Sequence, residues 1–258
     1  MSASFPSPVL TIDTSTPTLV TGVVHTLADG TVAATENTVE NTRAHNELLM
    51  PTVFELLEST GTKLSELAAV VVGCGPGPFS GLRVGMATAS GLGHALGISV
   101  YGVCSHDAIA WRALHATDTL DTTDALNSTD TLDAAGATTG EPSGNVLVAT
   151  DARRRETYWA TYSGNRRVAG PDVGPAETLQ PDVDRVVAHP AIAQRLPEKL
   201  QKLAAGEATP AVPSARGLVA VADFAAVPQP LTPLYLRRPD AKEPAAKPVS
   251  AALRWAEN

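Results

Sequence analysis

The chain has 258 residues, 43% of them hydrophobic and 18% charged, with a formal net charge of −8. That length can bury a substantial core as one large domain or two smaller ones. The acidic balance argues against tight autonomous binding to a nucleic-acid backbone, which needs clustered Lys and Arg, so any RNA contact is expected to fall mainly to a partner.

The opening MSASFPSPVLTID has no basic start followed by a long apolar core, and no segment approaches the ~20 apolar residues that span a bilayer, so a cytoplasmic location is expected. Val9 to Asp13, Leu19 to His25 and Thr31 to Val39 read as three consecutive strands forming an antiparallel meander. From Ala44 to Ser59 the apolar positions Leu49, Val53, Leu56 and Leu57 fall on one helical face, and Gly61 ends the helix. Pro51 removes a backbone donor and predicts a kink or an internal end. Ala69 to Gly73 is the next strand, and it leads into a glycine-rich turn and a helix of small residues running to Gly97. Ile98 to Val103 is a further strand, and Ser105 is the expected N-cap of a helix to about Leu114.

The segment from His115 to Asn145 changes character, with Thr, Asp and Leu recurring in DTLDTTDALNSTDTLD. It can bury little apolar surface and is expected to be a mobile surface insertion. Folding resumes with a strand at Val146 to Asp151 and continues through DARRRETYWATYS into a hairpin near Gly164 to Arg166. Later elements are a strand at Arg185 to Ala188 and helices at Ala191 to Ala205 and Ser214 to Ala226. The expected organisation is an N-terminal lobe over 1–110, the insertion over 115–145, a C-terminal lobe over 146–240 and a fraying tail over 241–258.

Five pieces occur in one order: IDTST at Ile12 to Thr16, HNELLMP at His45 to Pro51, GPGPFSGLRVG at Gly75 to Gly85, DARRRETY at Asp151 to Tyr158, and PLYLR at Pro233 to Arg237. Together they resemble the TsaB (YeaZ) family, with Pro78 and Ser80 as departures in the glycine block. The resemblance implies an actin-like, Hsp70-like, sugar-kinase-like (ASKHA) α/β fold of two related lobes with mixed sheets flanked by helices. It also implies a non-catalytic subunit of the bacterial machinery for N6-threonylcarbamoyladenosine at position 37 of tRNA. The implied partners are TsaD directly, TsaE, and tRNA indirectly through the complex, with a homodimer when the chain is alone. ATP or ADP and metal are expected in the partner subunits, with no cofactor intrinsic to this chain.

The residues agree with a chain that has lost the chemistry of its relatives. In phosphotransferases of the implied superfamily a D-x-G-T turn approaches nucleotide phosphates. Asp13, Thr14, Ser15 and Thr16 are its remnant here, with Ser15 in place of the glycine and Ala152 replacing glycine in the second lobe. TsaD carries two histidines one helical turn apart on its first long helix, where they bind metal; here His45 is followed four residues later by Leu49. His25, His94, His106, His115 and His189 show no paired spacing. Ser80 in PFSGL lacks the G-x-S-x-G elbow, and Cys74 ends a core strand. Cys74 and Cys104 show no CxxC spacing and are expected as reduced, buried thiols.

The glycine block admits two readings, a phosphate cradle with Arg83 adding charge, or a tight turn at Gly75, Gly77 and Gly81 followed by a packing helix. Missing phosphate and metal residues elsewhere favour packing. The candidate docking surface therefore combines His45, Leu48, Pro51 and Thr52 of the first helix with Arg83, Met86, Ala87, Ala89, Ser90, Gly91, Gly93 and His94 of the second, and the resemblance places the partner contact on the same lobe. Core packing is the competing role for Leu48. Arg153, Arg154 and Arg155 form the basic triplet, expected as a solvated turn, with contact to tRNA or an acidic partner as the alternative. The competing function is an ASKHA-type ATPase or small-molecule kinase, or a metallo-glycopeptidase.

Overall fold

The computed structural model describes residues 5–40, 42–115, 130–132, 144–207 and 209–237. Two mixed sheets organise the chain. The first runs in the order β5-β4-β1-β2-β3-β6 and the second β10-β7-β8-β9.

In the first sheet, β1 (Val9–Asp13), β2 (Leu19–Thr26) and β3 (Val32–Val39) form the expected antiparallel meander. β4 (Ala69–Gly73) and β5 (Ser99–Val103) extend it in parallel from β1. β6 (Asp130–Leu132) pairs antiparallel with β3. Residues 116–129 and 133–143 of the Asp/Thr segment and the tail 241–258, for which mobility and fraying are expected, lie outside the described residues.

The helices α1 (His45–Thr60) and α2 (Phe79–Leu96) cover one face of this sheet. Leu49, Val53, Leu56 and Leu57 point inward as the periodicity predicts, against Leu10, Ile12 and Val70. Each helix ends on a left-handed glycine, Gly61 at φ 64° and Gly97 at φ 67°, a conformation that costs a residue without Cβ little. α1 runs through Pro51 as one continuous helix, so the proline does not end it.

The other face is covered by α6 (Ala215–Ala220), which packs Ala215, Leu218 and Val219 on Val9, Val24 and Ala69. The first lobe is thus built from both ends of the chain. The contact is close: a Cβ on Gly22 would lie 2.3 Å from the Ala215 Cβ, and one on Gly217 would lie 2.6 Å from the Ala108 carbonyl oxygen. Ser214 caps α6 by accepting from the Gly217 N–H at 3.1 Å, while the Ala215 N–H donates to Glu36 at 2.6 Å. The helix expected to reach Ala226 stops at Ala220, six residues early.

α3 (Ser105–His115) sits between the lobes, with Ala108 in the first core and Ile109, Ala110 and Ala113 against Val146 and Val148 in the second. The second sheet repeats the strand-then-hairpin plan: β7 (Asn145–Asp151), β8 (Glu156–Ser163) and β9 (Arg166–Pro175) form a meander, and β10 (Arg185–Ala188) joins β7 in parallel. The helix expected over Ala191 to Ala205 is two helices, α4 (Pro190–Ala193) and α5 (Glu198–Ala205). Pro197 explains the division, because it has no amide hydrogen to continue the first helix and it caps the second.

Candidate functional site

Asp13, at the carboxyl end of β1, is fully buried. Its Oδ1 accepts from the Ser15 N–H at 2.8 Å and the Ser15 hydroxyl at 2.6 Å, and its Oδ2 accepts from the Ser105 hydroxyl at 2.6 Å. Burial raises its pKa above the ordinary carboxylate value, against the lowering effect of these hydrogen bonds. Thr14, Ser15 and Thr16 are only 1%, 3% and 5% exposed.

What buries this turn is the glycine block. A Cβ on Gly77 would lie 2.4 Å from the Ser15 carbonyl oxygen, and one on Gly81 would lie 2.5 Å from that of Thr14. One helical turn further on, a Cβ on Gly85 would meet the Thr14 hydroxyl oxygen at 2.4 Å. The Thr14 hydroxyl donates to the Gly81 carbonyl at 2.8 Å. These glycines are small because the chain's own β1–β2 turn lies against them. Gly75, at φ 99°, provides the positive φ that the turn itself needs.

The two strand ends that face each other across the lobes are joined through consecutive residues. Ser105 holds Asp13, and His106 Nε2 lies 2.8 Å from the Thr150 hydroxyl on β7. Ser105 therefore does not cap α3 as expected. Cys104 takes that position, its carbonyl accepting from Asp107 and Ala108, while the Ser105 side chain is engaged by Asp13 and the Gly75 N–H. His106 is fully buried with Nδ1 unpartnered, and burial pushes its pKa down to about 3. Nearby, the Tyr162 hydroxyl donates to Asp107 at 2.8 Å and Arg167 pairs with the same carboxylate at 3.3 Å.

The PLYLR segment forms a strap over this junction. The Leu234 N–H donates to the Cys74 carbonyl at 2.8 Å in the first lobe, and the Arg237 guanidinium donates to the Ala152 carbonyl at 3.1 Å in the second. Between them the ring of Tyr235 lies 4.9 Å from that of Phe79, over which Arg83 stacks at 4.1 Å.

The residues predicted to form a docking face divide. Thr52, Met86, Ala89 and Gly93 are buried in the chain's own core: Thr52 donates to the Leu48 carbonyl at 2.7 Å, and a Cβ on Gly93 would meet Val100 at 2.2 Å. Half of the small-residue stripe therefore faces inward. Pro51, Arg83, Ala87, Ser90, Gly91 and His94 are exposed, and His45 and Leu48 are half-buried. Gly91 has nothing within 4 Å of its Cβ position. Sequence reasoning missed Phe54 and Phe79, which are 54% and 51% exposed. Phe54 carried a signal: it is apolar out of phase with the buried face of α1.

His45 is tied to the turn, its Nε2 donating to the Thr16 carbonyl at 3.1 Å, and burial lowers its pKa. No group of three or more His, Cys, Asp or Glu placed to hold a metal occurs among the described residues. Cys74 and Cys104 are free thiols, pushed by burial up to about 11 and about 12, so both are protonated at neutral pH.

Arg153, Arg154 and Arg155 form the β7–β8 turn with φ of 61°, 51° and 64°. A left-handed conformation costs a residue with a Cβ roughly 1–2 kcal/mol, so three in succession store strain that neighbouring contacts must offset. Two other arginines do this. Arg237 holds the Ala152 carbonyl while paired with Glu156 at 3.3 Å, and Arg195 holds the Arg155 carbonyl while paired with Glu177 at 3.0 Å.

Two lobes that each begin with a strand and hairpin, and that meet across α3, define an actin-like ASKHA α/β protein. The YeaZ structure from Pseudomonas aeruginosa shares this fold with a TM-score of 0.59 at 24% identity, over 83% of this chain and 90% of that one. A protein of Mycobacterium tuberculosis described only as uncharacterised is 44% identical over 238 residues, 92% of this chain and 94% of its own length. TsaB of Escherichia coli, a tRNA threonylcarbamoyladenosine biosynthesis protein, is 31% identical over 157 residues, 60% of this chain and 54% of that protein. Residues 36–129 match the profile of "TsaD: tRNA N6-adenosine threonylcarbamoyltransferase". Together these similarities support assignment of the chain to the TsaB/YeaZ family.

Proposed function

We propose that this chain is the non-catalytic subunit that binds and orders a TsaD-type partner, which then transfers a threonylcarbamoyl group to N6 of adenosine 37 in tRNAs reading codons that begin with A. A TsaE-type protein completes the assembly, and the nucleotide and metal belong to the partners. Involvement in the pathway rests on the similarity to TsaB of Escherichia coli.

The observation that carries the non-catalytic role is the burial of the Asp13–Thr16 turn. In this fold class a phosphate would approach that turn. Here the Ser15 amide is spent on Asp13, and Gly77 and Gly81 bring their own backbone against Ser15 and Thr14. The residues present do not fit a nucleotide phosphate, which weighs against the ATPase and kinase readings. Nor do the described residues include the paired histidines that a metallo-glycopeptidase would need.

The docking face is the exposed side of α1 and α2, with Pro51 and Phe54 on one helix and Ala87, Ser90 and Gly91 on the other. Small side chains on α2 let a partner helix approach closely, and Phe54 offers apolar area to bury. When the chain is alone, the same surface pairs two copies. Gel filtration of the chain with and without a TsaD partner tests this reading: co-elution is expected, and separate elution with no effect on the partner's activity would overturn it.

A further inference from the structure

The arginine turn between β7 and β8 is not used by the docking role. Arg153, Arg154 and Arg155 are all exposed, on a chain whose net charge is −8. The turn is held from both sides: Arg237 and Arg195 grip the carbonyls of Ala152 and Arg155. Arg237 pairs with Glu156 and Arg195 with Glu177, and the side chains of the triplet are exposed. A solvated turn with no further task would be easier to build from Gly or Asn, which enter the left-handed region at lower cost.

We infer that this turn contacts the sugar-phosphate backbone of the tRNA directly, an inference that rests on the tRNA-modification reading above and extends it. Composition led to the expectation that RNA contact falls mainly to a partner, with tRNA contact at this triplet as the alternative, because whole-chain charge averages over a local cluster such as this one. On α1 the exposed positions include Glu47, Glu55 and Glu58, which repel phosphate. The arginines lie on the other lobe, at the end of the strap.

RNA is favoured over an acidic protein surface by what adjoins the turn. The strap that ends at Arg237 presents Tyr235 against Phe79, with Arg83 stacked on that ring, and both aromatic rings are substantially exposed. Guanidiniums interleaved with exposed rings suit a nucleic acid with unpaired bases, the rings taking bases by stacking and the arginines taking phosphates. Arginine also matches phosphate geometry with two parallel N–H donors.

The test is tRNA binding by the full chain, alone and with its TsaD partner, using an unmodified in vitro transcript and a series of salt concentrations. The variant replaces Arg153, Arg154 and Arg155 each by Gly, which removes the charge and keeps the left-handed backbone accessible. About tenfold weaker binding at low salt is expected, with a salt slope shallower by about 2 and partner co-elution intact. The single exchange Arg153→Glu, at an exposed side chain, is expected to weaken binding in the same direction if the triple variant does not fold. Unchanged affinity and slope would overturn the inference, as would loss of partner co-elution with tRNA affinity unaltered, which would make the turn a protein contact. If the wild-type chain fails to co-elute with TsaD yet binds tRNA through these arginines, the docking reading fails and this one stands.

Discussion

Ser105 and His106, adjacent at the start of α3, reach in opposite directions: the first donates to Asp13 at the end of β1, the second meets Thr150 near the end of β7. In a nucleotide-binding relative of this fold the two strand ends flank a ligand. Here two consecutive side chains and the Leu234–Arg237 strap tie them together. Asp13 and Thr150 at these strand ends are thereby part of the core, which supports reading the outer face of α1 and α2 as the docking surface.

His106 makes that junction sensitive to acid. The unfolded chain takes a proton on this ring near pH 6.5, whereas the folded chain refuses it until about pH 3. Protons therefore favour the unfolded state through this window, and stability falls as pH falls from 6.5. At roughly 1.4 kcal/mol per pKa unit the contribution lost by pH 4 is about 3 kcal/mol. Urea unfolding from pH 7 to 4 should show a smaller loss in His106→Gln, and parallel curves would contradict the assignment.

Asp13 acts with the opposite sign. Its pKa is raised by burial, so just above its ordinary value near 3.8 the folded chain retains a proton that the unfolded chain releases. Its contribution therefore declines as pH rises through the folded pKa, and Asp13→Asn should remove that decline. Asp13→Ala, which strands the hydroxyls and amide that it satisfies, should cost about 3 kcal/mol. Neither exchange should alter nucleotide binding, because calorimetry with Mg-ATP should register none in the wild type. Binding heat that disappears in Asp13→Ala would restore the kinase reading.

The glycines of α2 separate by what lies against them. Gly81→Ala places a methyl against the Thr14 carbonyl and should destabilise by about 2 kcal/mol or more. Gly91→Ala meets open space and should stabilise by about 0.5–1 kcal/mol through helix propensity. Thermal unfolding of the two variants reads both signs, and equal shifts would contradict the packing described.

The docking face has its own probes. Gly91→Trp and Ala87→Trp add bulk at exposed positions, so both should fold, with far-UV spectra unchanged, and should weaken partner capture by about tenfold, equivalent to ~1.4 kcal/mol. Ala89→Trp should not fold, because Ala89 is fully buried. Capture undiminished by both exposed tryptophans would move the interface elsewhere.

Most strands were legible from their β-branched runs, and α1 from the phase of Leu49, Val53, Leu56 and Leu57. The direction of the small-residue stripe was not. Gly85 and Gly93 announce that something comes close, but only the fold reveals that it is Thr14 in one case and Val100 in the other. Ser105 reads as an N-cap by position, and its true partner lies 92 residues away. The turn of Arg153 to Arg155 was visible as charge, whereas its left-handed backbone and its clamps at Ala152 and Arg155 depend on residues remote in sequence.

The central claim is that this chain performs no chemistry itself yet is required for it. The direct measurement is threonylcarbamoyladenosine formed on an unmodified tRNA transcript by TsaD, TsaE and threonylcarbamoyl-adenylate, with and without this chain, quantified by mass spectrometry of the nucleosides. The account predicts no product from the chain alone, product from the full mixture, and its loss when the chain is omitted. Full yield without the chain, or product from the chain alone, would contradict it.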